Sequence, residues 1–271
     1  MRSALRPVFL AAALALPALA MPALSGTALA LPPIAPGFNA NSFFANDDQS
    51  IGPTDFGFGF NFFGVTYTQA YVNNNGNITF ANPLGTFTPF AITNPTGNPL
   101  IAPFFGDVDT RAGNLVSYGT GTYDGHDAFG VNWPAVGYYS VKTDRLNDFQ
   151  LLLVDRSDIA PGDADIYFNY GSMQWETGEA SGGVGGLGGI CARVGFNNGA
   201  GTSYEVPGSG TCGALIDGGA NELRSASNVG VPGQYLFQVR DGDVITNTPE
   251  PASLALLGLG LAALGMARRR R

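Results

Sequence analysis

The sequence predicts an all-β fold: one β-sandwich-like antiparallel domain, flanked by an N-terminal signal peptide and a C-terminal transmembrane sorting helix. Three observations carry this. The 39 Gly and 18 Pro punctuate the chain, charged residues are only 13%, and no stretch between the termini holds a 3.6-residue apolar period for long. Phe56, Phe58, Phe60 and Phe62 recur at strict two-residue spacing in DFGFGFNFFG, which puts a phenylalanine stripe on one face of a strand. The run Phe149–Val154 is almost wholly apolar, and Ile166, Phe168 and Tyr170 then alternate with Asp165, Tyr167 and Asn169. With 19 Phe and 10 Tyr, the chain has the aromatic mass for a packed core rather than disorder.

In chain order, residues 1–30 read as a secretory signal. Arg2 and Arg6 form a positive start, Val8–Ala20 an apolar run broken by Pro17, and Ala28-Leu29-Ala30 a small-residue cleavage site, with Ala18-Leu19-Ala20 a second. Residues 31–245 form the β-domain. Leu31–Ser50, with Pro32-Pro33 and Pro36-Gly37, is expected to be a loose segment leading into the phenylalanine strand. Val65–Val72 is the next strand, and Asn75-Gly76 before Asn77–Phe80 marks a hairpin, because both residues tolerate positive φ. Asn77-Ile78-Thr79 matches a glycosylation sequon by chance.

Leu100–Arg111 passes from an apolar run into Asp107, Asp109 and Arg111; Leu115–Tyr118 and Ala128–Trp133 are further strands. Tyr138–Val141 leads into a central hairpin whose loop, Arg156–Asp163, carries Pro161-Gly162 and several acids. At eight residues that loop is longer than most hairpin connections and is the first place to seek a binding surface. After Trp175, Ser181–Gly189 contains a formal G-x-G-x-x-G at Gly183, Gly185 and Gly188; no amphipathic helix follows, so it is a loop and not a dinucleotide site. Ala192–Asn197, Tyr204–Val206 and Tyr235–Arg240 complete the strands, and Thr246–Thr248 starts a linker.

Cys191 and Cys212, with twenty residues between them in an exported chain, are expected to form a disulfide. Closing that loop stabilises by about 3 kcal/mol in the chain-entropy picture. Metal or redox chemistry would need partners the sequence lacks, since there is no CxxC and one His.

Residues 246–271 close the chain. Pro249-Glu250-Pro251 precedes the sixteen apolar residues 252–267, which as a helix reach roughly 24 Å, and then Arg268, Arg269, Arg270 and Arg271 mark the cytoplasmic side. This arrangement resembles the PEP-CTERM sorting signal of Gram-negative bacteria. The resemblance implies an exosortase and the secretion machinery as partners, transient anchoring in the inner membrane, and release to the cell surface or extracellular matrix. A plain uncut anchor is the alternative.

Charge narrows the partners. The whole chain carries −8; six of its 13 basic residues and one of its 21 acids lie in the terminal segments, which leaves seven basic against 20 acidic residues, or −13, for the exported body. No nucleic acid is expected, since phosphate contacts need a basic footprint; cations, or surfaces bridged by them, fit better.

An ordered series of segments resembles the NIDO domain, the extracellular module of nidogen and related matrix proteins: FNFFG (60–64), YVNNNGNITF (71–80), IAPFFGDVDTR (101–111), the central hairpin to Gly178, RVGFNNG (193–199) and YEVPGSG (204–210). It spans roughly residues 56–210 and implies a role in cell-matrix adhesion with no catalytic residues to carry over. The EGF-like and propeller modules that accompany this domain in animals have no counterpart here, so nidogen's own partners are not carried over.

Three functions compete. The first is a non-enzymatic surface or matrix protein binding exopolysaccharide or a matrix protein. The second is a calcium-dependent glycan- or protein-binding module, with calcium as its cofactor and Asp107 and Asp109, or Asp155, Asp158, Asp163 and Asp165, as candidate ligands. No EF-hand pattern is present, and solvated turn acids are the competing reading; for Asp107–Arg111 a structural reading stands beside it, in which Arg111 pairs with a carboxylate and fixes a loop at the sheet end. The third is a glycoside hydrolase using Glu176 with an Asp; HExxH and GxSxG are absent and the one histidine, His126, has a turn-like context.

Overall fold

The alternating apolar residues settle on the facing sides of two sheets. A computed structural model describes residues 34–246. The signal peptide, the Pro-Glu-Pro motif Pro249–Pro251, the apolar segment 252–267 and the arginines 268–271 lie outside the described residues. Among the described residues no helix is long and apolar enough to cross a membrane.

The strands are β1 (Asn41–Ser42), β2 (Ser50–Phe62), β3 (Val65–Asn73), β4 (Asn77–Thr79), β5 (Leu100–Phe105), β6 (Val108–Asp109), β7 (Ser117–Tyr123), β8 (His126–Tyr138), β9 (Lys142–Asp155), β10 (Ala164–Met173), β11 (Arg193–Asn197), β12 (Ser203–Glu205), β13 (Gln234–Arg240) and β14 (Asp243–Thr246). One sheet runs β1-β7-β8-β9-β10-β13-β14, with β6 also paired to β8; the other runs β12-β11-β5-β4-β3-β2. All the pairings are antiparallel.

The core between the sheets is aromatic. Phe56, Phe60 and Phe62 of β2 are buried, as the two-residue spacing requires. Ring centroids cross the sandwich at 5.3 Å (Phe56–Phe129), 5.4 Å (Phe104–Phe149) and 5.2 Å (Phe196–Phe237). Such pairs add to area burial through their edge and face geometry. The buried hydroxyl of Tyr170 donates to the Pro103 carbonyl at 2.7 Å, and the Trp133 indole N–H donates to the Asn74 carbonyl at 2.9 Å. Both polar tips are therefore satisfied inside an apolar layer.

Four expectations change. The loop of the central hairpin is Arg156–Asp163 as read, but its strands are longer, because β9 begins at Lys142. Tyr139–Val141 is accordingly the turn between β8 and β9. The polar side of β10 is covered rather than exposed. Asp165 and Asn169 are buried and Tyr167 is half-buried, because Ala35 and Phe38 of the leading segment pack over Ala128, Leu152, Val154 and Tyr167. That segment is thus ordered against the sheet. Gln150 exchanges hydrogen bonds with Ala35, and an amide ladder Asn132–Gln150–Asn169–Gln234 crosses four strands at 2.7, 2.9 and 3.1 Å. Finally, Tyr235–Arg240 is not the last strand, since β14 pairs back onto it.

Cys191 and Cys212 are joined, with Cα atoms 5.3 Å apart. The loop after Trp175 packs tightly: Glu176 N–H donates to the Gly186 carbonyl at 2.8 Å, and the Trp175 indole donates to the Val136 carbonyl at 3.0 Å.

Candidate functional site

The sandwich has two acidic ends. At one, the Arg156–Asp163 loop meets the β13–β14 turn. At the other, four connections converge: the segment before β2, the Asn74–Gly76 turn between β3 and β4, the corner from β5 to β6, and the chain leaving β10.

The second end is built around the asparagine turn. Gly76 has φ +76, and a Cβ there would lie 1.7 Å from the Phe104 carbonyl oxygen, so only glycine allows the turn to lie against β5. The turn is tied down on several sides. Asn74 N–H donates to the Gln49 carbonyl at 2.9 Å, its side-chain amide donates to the Val108 carbonyl, and Val108 N–H donates to Asn75 Oδ1 at 3.0 Å. Asn75 Nδ2 donates to Asp48 Oδ1 at 2.7 Å and to the Thr86 carbonyl at 3.2 Å. The segment before β2 is held against β6 by the Asp47–Asp109 bridge and by Asn46, which accepts from both the N–H and the hydroxyl of Thr110.

Asp47, Asp48 and Asp107 come together here, each offering one carboxylate oxygen within 4.8 Å of the others. Asp107 is 1% exposed, and neither of its oxygens has a hydrogen-bond partner in the protein. Its Oδ2 lies where a Cβ on Gly178 would sit, at 2.0 Å, so residue 178 must be glycine for the carboxylate to fit. Asp47 Oδ1 is also buried without a partner, while its Oδ2 pairs with Arg111 Nη2 at 2.8 Å. Burial, then the charges of Asp48, Asp47 and Asp109, push the Asp107 carboxyl up to about 7, against a partial offset from Arg111. Burial, then Asp109 and Asp48, raises Asp47 to about 6. Burial also raises Asp48, less so because Asn75 donates to it.

Asp109 is placed differently from its neighbour Asp107. Arg111 grips it in a two-pronged pair, with Nε donating to Oδ1 at 2.9 Å and Nη2 to Oδ2. Val141 N–H donates to the same Oδ2 at 2.7 Å. Burial alone would raise its pKa, but the hydrogen bonds from Arg111 and Val141 hold it below the usual value.

At the other end, Asp155, Asp158, Asp163 and Asp165 do not converge. Asp165 accepts from Arg156 Nη1 at 2.9 Å and Arg240 Nη2 at 2.7 Å. Asp158 accepts from Arg156 Nε at 3.0 Å, and Asp163 from Asp241 N–H at 2.9 Å. Asp155 accepts from Ser157 through both its N–H and its hydroxyl. His126 opens β8 with its Nδ1 3.7 Å from Asp158.

Glu176 is buried beside the disulfide, and its two oxygens accept from Gly188 N–H at 3.0 Å and Gly213 N–H at 2.6 Å. It pins two glycine-rich loops; neither oxygen faces an open cleft as a glycosidase acid would need. Beside the acidic cluster, Tyr138, Val141, Lys142, Thr143, Asp144 and Glu179 line a shallow cleft of about 400 Å³.

Of the predicted site residues, then, the structure brings Asp107 alone into a carboxylate cluster. Sequence reasoning missed Asp47 and Asp48. Their signal was the Asn46-Asp47-Asp48 run in a segment expected to be loose.

Residues 25–229 match the NIDO-related family, and residues 247–271 match the PEP-CTERM protein-sorting motif. Alpha-tectorin of Gallus gallus is 32% identical over 237 residues, covering 78% of this chain and 10% of that protein. Human alpha-tectorin is 32% identical over 68% of the chain and 9% of its own length. The Drosophila melanogaster protein Nidogen is 32% identical over 66% of the chain and 14% of its own. The chain therefore spans about a tenth of the length of the curated relatives it matches. No solved structure matches. A sorting motif joined to a nidogen-like domain is the organisation of an exported extracellular protein, and the chain belongs to the NIDO-related family.

Proposed function

We propose that this chain is a non-enzymatic surface or matrix protein, processed by an exosortase and acting in cell-matrix adhesion or exopolysaccharide association. The observation that carries the reading is the junction of a NIDO-related domain with a PEP-CTERM motif in one chain. The motif accounts for delivery and the domain for what is delivered.

The body supports it. An exported unit with a net charge of −13 repels other anionic surfaces unless a cation or a specific contact intervenes. The residues the sequence offered for hydrolysis are engaged elsewhere: Glu176 is held by two backbone N–H groups, and His126 lies 3.7 Å from Asp158 at a strand end.

The test is the C-terminus of the mature protein. Mass spectrometry of material from the cell surface should find a chain ending near the Pro-Glu-Pro motif, without the final arginines. The same protein from an exosortase-deletion strain should retain them and fractionate with the inner membrane. Arginines still attached to the surface-delivered protein would overturn processing. Turnover of the host's polysaccharide by purified protein, lost in Glu176→Gln, would overturn the non-enzymatic reading.

A further inference from the structure

We propose that Asp47, Asp48 and Asp107 bind a calcium ion at the end of the sandwich opposite the acidic hairpin loop. The inference is independent of whether an exosortase processes the tail.

Geometry comes first. Oxygens bound to one calcium at about 2.3–2.6 Å lie at most roughly 5.2 Å apart, whereas magnesium at about 2.0–2.1 Å holds its oxygens within roughly 4.2 Å. The three carboxylate oxygens here lie within 4.8 Å of one another, close enough to share one hard cation; calcium is favoured over magnesium because it sheds water more readily and accepts irregular oxygen sets. The donors are all hard oxygens, the set that calcium takes and that zinc or copper does not prefer.

The second observation is independent of acid density. Asp107 is 1% exposed and both its oxygens lack a partner, although buried polar groups are normally hydrogen-bonded. A buried carboxylate without a donor or counter-charge is costly to hold. One oxygen of this orphaned carboxylate lies within 4.8 Å of an oxygen from each of Asp47 and Asp48, and Asp47 Oδ1 is itself buried and unpartnered.

The available cation is already committed. Arg111 pairs with Asp109 and with Asp47 Oδ2, and makes no ion pair with Asp107 or Asp48. With Asp47, Asp48, Asp107 and Asp109 all ionised against Arg111, the site carries three net negative charges, which a divalent ion would largely offset. Asn75 fixes Asp48 Oδ1, leaving Oδ2 for the ion. Asp47 and Asp48 are half-buried, so the ion would have a protein floor at Asp107 and an outer side open to water or a ligand oxygen.

The ion would tie the segment before β2 to the β5–β6 corner, and binding only to the folded state raises stability by mass action. The purified protein is stripped with chelator and melted with and without 10 mM calcium chloride. With a dissociation constant near 1 mM, as in many extracellular modules, Tm should rise by about 3–6 °C. Magnesium at the same concentration should give less. Terbium should bind in the same place, with luminescence sensitised by nearby tryptophan and displaced by calcium. Asp107→Asn should abolish the shift. Asp48→Asn, at a half-buried position where the amide oxygen can still accept from Asn75, should weaken calcium about tenfold, and it decides the matter if Asp107→Asn fails to fold. A wild-type Tm indifferent to calcium, or a full shift in Asp48→Asn, overturns the proposal. An equal response to magnesium overturns the assignment to calcium.

Discussion

The two ends of the sandwich hold similar numbers of aspartates and treat them in opposite ways. At the hairpin end, Arg156 and Arg240 converge on Asp165, and the remaining acids accept from backbone N–H groups, a hydroxyl or the same arginines. At the asparagine-turn end, Arg111 goes to Asp109 and Asp47, and Asp107 is left buried without a donor. The density of acids in a sequence is therefore a poor guide to a cation site. What separates the two ends is where the few arginines of an acidic chain are brought by tertiary pairing.

The contrast can be broken most severely at Arg240. Its removal leaves Asp165, 3% exposed, with one partner fewer, and losing one side of a buried ion pair costs about 3 kcal/mol. Arg240→Ala should lower Tm by about 6–12 °C for a domain of this size, read by thermal melting. A change under 2 °C would mean that Asp165 is not held by this pair.

Removing charge should have opposite signs at the two ends. Asp165→Asn should destabilise, because it discards bonds to two arginines. Asp107→Asn, measured in chelator, should raise Tm by about 2–4 °C, because it removes an unpaired buried charge. If both variants fall, the two ends are not different in kind.

Proton linkage sharpens the comparison further. Asp107 and Asp47 sit at about 7 and about 6 in the folded protein, against 3.8 for an ordinary aspartate. The folded state then holds protons that the unfolded state has released between pH 4 and 7, so stability falls as pH rises through that window. In chelator, Tm should be higher at pH 5 than at pH 8, and Asp107→Asn should flatten most of that difference. Asp109 has the other sign: its lowered value gives stability that is present above pH 4 and lost only in stronger acid. The smallest effect belongs to Asp158, half-exposed at the loop's rim, where Asp158→Ala should leave Tm unchanged within measurement error.

Much of the architecture was readable in the residues. The two-residue spacing of Phe56, Phe58, Phe60 and Phe62 set the inner face of β2, with Phe58 alone half-buried, and Pro161-Gly162 set a hairpin loop with the bounds found. The cysteine pairing followed from export and spacing. The misses share one cause, which is long-range pairing. The alternation along β10 reads as a half-buried strand because the cover of its second face, Ala35 and Phe38, lies more than a hundred residues earlier. Arg240 reaches Asp165 across 75 positions, and no local pattern announces it. Asp47 and Asp48 lie in a stretch whose Pro and Gly content reads as loose, yet one bridge to Asp109 carries them to Asp107. That Arg111 pairs with a carboxylate was readable locally; that it takes Asp109 and not Asp107 two residues further back was not.

The most direct test is a count of bound ions. Equilibrium dialysis of the chelator-stripped protein against radioactive calcium should find one ion per chain in the wild type and in Asp158→Ala, and none in Asp107→Asn at the same concentration. No bound calcium in the wild type, or undiminished binding in a folded Asp107→Asn, would contradict the distinction between the two ends.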